Sequence, residues 1–178
     1  MIANLVTASR LVLAVPLFAL LLTTGETAAW TALGVLALAG LTDVVDGRIA
    51  RALGQVSKLG AMLDLVADRV LTATLAAGLI ANGALAGWWA APAVVLVARD
   101  LAVASYGEAS GGAAKFPVTA LERVKIALQF AGFLALVAPP LAAWQPEAGR
   151  WSLAASALLA LATAVSYGRR TAWTLAQR

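Results

Sequence analysis

The chain has 178 residues, 62% of them hydrophobic and 12% charged. Soluble domains run at about 45–50% and about 25%, so one membrane-embedded domain over residues 1–178 is expected. Cys and His are absent, which excludes disulfides, thiolate metal sites, Cys nucleophiles and imidazole bases, and the net charge of +4 fits membrane topology better than nucleic-acid binding.

An α-helix needs roughly 20 mostly apolar residues to cross a bilayer. Six stretches qualify, giving an all-α polytopic protein. The first runs from about Leu5 to Leu22, with Arg10 near its start and a turn at Gly25-Glu26. The second covers about Ala28 to Ala52, and Gly54 to Ser57 form a short turn. The third covers about Lys58 to Ile80 and closes at Asn82-Gly83. The fourth spans about Gly87 to Tyr106 and is followed by a Gly- and Ala-rich loop from Glu108 to Pro117. The fifth spans about Thr119 to Val137, ended by Pro139-Pro140. The sixth covers about Trp151 to Tyr167, with a basic tail. Gly34 and Gly40, with the Ala-rich sixth helix, point to close helix packing.

With six spans both termini share one side. Counting helix ends, that side holds every Lys and Arg except Arg150, so both termini are expected in the cytoplasm. Trp30, Trp88, Trp89, Trp144 and Trp151 fall near the opposite ends of the spans, as an interfacial belt would.

Four carboxylates break the apolar pattern: Asp43, Asp46, Asp64 and Asp68. Acids at membrane depth are costly and mark function by default. A single one can be explained by a neighbouring Arg, and a single Gly or Ala by packing. Four acids on adjacent helices have no use in a dry bundle. Asp43 and Asp46 are three apart and Asp64 and Asp68 four apart, so each pair shares a helix face. A tight turn at Gly54 is expected to fold the third helix back against the second and bring the four together near the cytoplasmic surface. Clustered carboxylates repel one another. One or two Mg²⁺ or Mn²⁺ ions would relieve that repulsion through oxygen ligands. Gly47, Ala50 and Gly60 leave a groove beside the acids, and Arg51 is suited to phosphate oxygens.

The run Asp-x2-Asp-Gly-x2-Ala-Arg-x8-Gly-x3-Asp-x3-Asp, Asp43 to Asp68, resembles the signature of the CDP-alcohol phosphotransferase family. The resemblance implies a six-helix membrane enzyme, acting as a homodimer in the bacterial inner membrane. Such an enzyme would transfer the phosphatidyl group of CDP-diacylglycerol to an alcohol and release CMP. It also implies that Asp43, Asp46, Asp64 and Asp68 hold two Mg²⁺ or Mn²⁺ ions. Asp68 would act as general base, and Gly47, Ala50, Arg51 and Gly60 would line the CDP site.

Asn4-Leu5-Val6-Thr7-x2-Arg10 is similar to the N-terminal segment of the glycerol 3-phosphate and cardiolipin branches of that family. Leu65, Arg69, Arg123 and Ile126 depart from the residues common there. Arg99, Lys115, Arg123 and Lys125 are the candidates for binding a phosphate-bearing acceptor, with glycerol 3-phosphate the first choice. Alternatively, the last three anchor a helix end on the positive side. Arg99 and Asp100, adjacent in sequence, fall on different helix faces, so each is expected to have another partner. The alternatives are cardiolipin or phosphatidylinositol phosphate synthesis, a Mg²⁺-dependent prenyltransferase, and a cation channel or transporter.

Overall fold

A computed structural model of the protein describes the backbone of residues 2–52, 58–109 and 119–176. Side chains are described over 10–42, 60, 62–107 and 119–165. Among the described residues there are six α-helices and no strand. They are α1 (Ile2–Leu22), α2 (Glu26–Ala52), α3 (Lys58–Ala81), α4 (Ala90–Ala109), α5 (Ala120–Val137) and α6 (Gln145–Ala176), with one 3-10 turn at Gly87–Trp89. All six predicted stretches are therefore helical. The sixth begins earlier than expected and includes part of the basic tail. Pro146 falls in its first turn, where a missing N–H costs nothing, and Glu147 there suits the helix dipole.

The connections at Gly25, Gly83 and Pro139-Pro140 lie at one end of the bundle. Gly25 and Gly83 have φ of 120° and 84°, a region other residues rarely adopt. Asn82 ties two of these turns together: its Nδ2 donates to Leu21 O at 3.1 Å and its Oδ1 accepts from Ala84 N at 2.9 Å. Gln145 secures the third, donating through Nε2 to Ala135 O and Pro139 O, each at 3.0 Å. Trp88, Trp89 and Trp151 cluster at this end: Trp88 stacks on Trp89 with centroids 4.1 Å apart, and Trp151 meets Trp89 edge-on at 5.0 Å. This grouping fits the expected aromatic belt.

Around the bundle the helices neighbour one another in the order α1, α3, α4, α6, α5, α2, and α2 closes back on α1. The expected return of the third helix against the second at Gly54 falls on residues outside those described. Among the described residues α1 lies between these two helices and makes the main contacts with both. Leu17 and Leu21 of α1 meet Leu36 of α2 and Leu75 and Leu79 of α3 in one core. The turn at Gly54 to Ser57 lies outside the described residues.

Close packing falls at other glycines than expected. Gly34 has open space where a Cβ would stand, and Gly40 only ordinary contact with Phe130. The tight approaches are between α3 and α1, where a Cβ on Gly78 would lie 2.6 Å from Leu21 Cδ1, and between α5 and α6. A Cβ on Gly132 would lie 2.8 Å from Leu153 Cγ and 3.0 Å from Gly149 O.

Two helical segments, Gly87–Gly107 and Gln145–Val165, are long and apolar enough to cross a membrane. Only 17% and 33% of their most apolar stretches are buried, which separates them from the core helices of a soluble protein. Val12, Val15, Leu41 and Leu158 are also well exposed. So much outward apolar surface is that of a membrane protein.

Candidate active site

The polar residues gather in the half of the bundle away from the three connections. The helical backbone of α2 carries Asp43, Asp46, Gly47, Ala50 and Arg51, whose side chains lie outside the described residues, as does Lys115. Gly60 is half-buried on α3, and Asp64 and Asp68 are exposed one turn apart on the same helix. Their meeting with Asp43 and Asp46 therefore rests on the sequence reading. Among the described residues no three acids cluster.

Arg10 reaches Asp64 from α1. Its side chain is 5% exposed and its Nη2 donates to Asp64 Oδ1, while the Asp64 side chain is 56% exposed. A buried guanidinium thus holds one oxygen of a carboxylate that faces outward. Exposed oxygen-only donors on one helix face fit a hard divalent cation, and a single guanidinium contact leaves the second oxygen of Asp64 for it.

A second polar group lies deeper. Arg99 on α4 makes a forked pair with Glu122 on α5: Nη1 to Oε1 and Nη2 to Oε2, each 3.0 Å. Nη2 also donates to Thr163 Oγ1 on α6 at 2.9 Å. Lys125 Nζ donates to both oxygens of Asp100, at 2.8 and 3.0 Å. Arg99 Nη1 also reaches Asp100 Oδ1 at 3.0 Å. The expectation of separate faces holds at the level of the helix, and each residue does have another partner. The long Arg99 side chain nevertheless curls across to its neighbour. Two cations and two anions close a neutral network joining α4, α5 and α6. Removing one partner from such a buried pair costs about 3–5 kcal/mol.

This network places the acceptor candidates apart. Arg99 and Lys125 are buried with their charges compensated, whereas Arg123 is exposed. Arg69 bridges helices differently, donating from Nε to Asp100 O at 3.2 Å and from Nη1 to Leu65 O at 2.6 Å. Glu122 was missed from sequence. Thr119-x-x-Glu122 has the spacing of a capping box, and Thr119 Oγ1 does accept from Glu122 N at 3.2 Å. That spacing locates Glu122 in the first turn of α5, from which it meets α4. Arg10 was noted, but not as the partner of Asp64.

A helical bundle with a lipid-suited surface and acids collected at one end defines an integral membrane protein with a polar site at that end. The family model for CDP-alcohol phosphatidyltransferase matches residues 1–167, and the chain belongs to that family. It is also similar to bacterial proteins named CDP-diacylglycerol–glycerol-3-phosphate 3-phosphatidyltransferase. The one from Pseudomonas fluorescens is 38% identical over 109 residues, 60% of this chain and 54% of that protein. The one from Sodalis glossinidius is 30% identical over 116 residues, 64% of this chain and 60% of that protein. That from Yersinia enterocolitica is 29% identical over 136 residues, 75% of this chain and 70% of that protein. The chain thus spans 54% and 60% of the length of the first two relatives.

Proposed function

We propose that the protein transfers the phosphatidyl group of CDP-diacylglycerol to glycerol 3-phosphate and releases CMP. The observation that carries this reading is the family match over residues 1–167 in a chain that keeps the full acidic spacing from Asp43 to Asp68. The names of its relatives supply the acceptor. The whole chain acts as one domain of six spans, with both termini and the acidic end at the cytoplasmic face of the inner membrane. It works as a homodimer.

In this reading Asp43, Asp46, Asp64 and Asp68 hold two Mg²⁺ or Mn²⁺ ions. When bound, the ions supply positive charge against the diphosphate oxygens. Gly47, Ala50 and Gly60 leave room for the cytidine group, and Arg51 pairs with its phosphate. The acceptor oxygen forms a new bond to the lipid-side phosphorus as the bond to CMP breaks. Asp68 takes the hydroxyl proton as that P–O bond forms. A carboxylate beside cations is a weak base beforehand, so the transfer accompanies bond formation. Arg123 and Lys115 would meet the phosphate of the acceptor. Arg99 and Lys125 would act on it from within the network that fixes α4 against α5 and α6.

The test supplies purified protein with CDP-diacylglycerol, Mn²⁺ and one acceptor at a time: glycerol 3-phosphate, phosphatidylglycerol, inositol phosphate or serine. CMP and a new lipid are expected with glycerol 3-phosphate, and chelation should stop the reaction reversibly. CMP formed with another acceptor instead would reassign the reaction. Pyrophosphate release, or cation flux in liposomes without CMP, would overturn it.

A further inference from the structure

We infer that Arg10 is a positioning residue for Asp64, setting the carboxylate for a divalent cation from the buried side. The inference rests on the acidic-site reading above. Its basis is the asymmetry of the pair: Arg10 is 5% exposed and Asp64 56%. The pair crosses from α1 to α3, 54 residues apart in sequence. Arg10 shares a face of α1 with Ala14, Leu17 and Leu21, all buried. Its stem is thus fixed among apolar side chains, and its head ends at the acidic rim.

Burying a guanidinium is expensive unless it is paired. Here only the cation is enclosed, and the anion is presented outward. Arg10 Nη2 engages Oδ1 alone, which leaves Oδ2 for a second positive group. This is the arrangement by which outer hydrogen-bond donors orient metal-binding carboxylates. The opposite possibility is that Arg10 occupies Asp64 in place of a cation. The two make opposite forecasts. A positioning residue strengthens cation binding, and a competitor weakens it.

Mn²⁺ binding to purified, substrate-free protein, read by electron paramagnetic resonance of the free ion, separates them. Arg10→Gln is expected to weaken Mn²⁺ binding about 10–100-fold, and Arg10→Lys, which keeps a point charge without the fork, by less. In an Asp64→Asn background Arg10→Gln should change the affinity no further. The metal-free thermal midpoint of Arg10→Gln reports its folding. If that variant does not insert, Arg10→Lys carries the test through its own weakened Mn²⁺ binding. Unchanged or tighter binding in a folded Arg10 variant would overturn the inference while leaving the acidic site in place. So would an undiminished effect in the Asp64→Asn background. A wild-type chain that binds no Mn²⁺ would overturn the acidic-site reading, and this inference with it.

Discussion

Asp64 and Asp68 lie one helical turn apart on α3, both exposed. Asp64 backs onto a buried guanidinium. In the proposed reading both are ligands and Asp68 is also the proton acceptor. Asp68→Asn keeps the size of the side chain and removes its basicity. CMP release is expected to fall by at least about 100-fold, the lower range for a lost general base, while insertion and thermal midpoint stay as in the wild type. Near-normal turnover would remove the role given to Asp68. The spacing of these acids was legible in the chain because i,i+4 neighbours on a helix meet whatever the helix packs against. The partners Arg10 and Glu122 were not, because each is met on a different helix. The rotation of α1 against α3, and of α4 against α5, is set by packing, and no local pattern encodes it. The same reason hid the burial of Arg99 and Lys125, which sequence alone reads as two more cations on the positive side.

The helices themselves were readable from runs of apolar residues and from their punctuation by Gly, Asn and Pro. Their neighbours were less so. A glycine on a helix is either a contact point or a gap, and the difference is which face it occupies. Gly132 and Gly149 bring α5 and α6 together, and Ser152 and Ser156 of α6 then donate to Leu128 O and Lys125 O, at 2.8 and 2.9 Å. These bonds register α6 on α5, just beneath the network that holds Arg99 and Lys125. Gly34 faces open space. Two Gly→Ala changes should therefore differ in sign. Gly132→Ala pushes a methyl group against Leu153 and the Gly149 carbonyl, an overpacking that costs about 1–3 kcal/mol. That outweighs the gain in helix propensity of about 1 kcal/mol or less. Gly34→Ala gains the propensity with nothing to displace. Thermal unfolding in detergent is expected to place Gly132→Ala below the wild type and Gly34→Ala at or above it. Equal midpoints would mean that α5 and α6 do not approach at Gly132.

At the scale of the whole molecule, the two ends of the bundle are chemically unlike. The connection end holds the clustered Trp88, Trp89 and Trp151 and a cation, Arg150, that is largely spent locally. Arg150 lies 2.5 Å from Glu147 Oε1 and donates to Ala84 O at 2.9 Å. On the six-span reading proposed above, the other end would hold the remaining Lys and Arg residues together with Asp43, Asp46, Asp64 and Asp68. Charge of this asymmetry would orient the protein with its basic end in the cytoplasm. A soluble nucleotide donor headgroup and a phosphate-bearing acceptor would be met on that side. Because the chain has no Cys, single substitutions report side without background. Ala143→Cys lies at an exposed position of the α5–α6 connection, and Gln177→Cys lies next to the last residue of the chain. A membrane-impermeant maleimide added to spheroplasts is expected to label Ala143→Cys directly. Gln177→Cys should react only after the membrane is opened. The reverse pattern would put the acidic end outside, away from cytoplasmic CDP-linked headgroups, and labelling of both in sealed spheroplasts would break the count of six crossings.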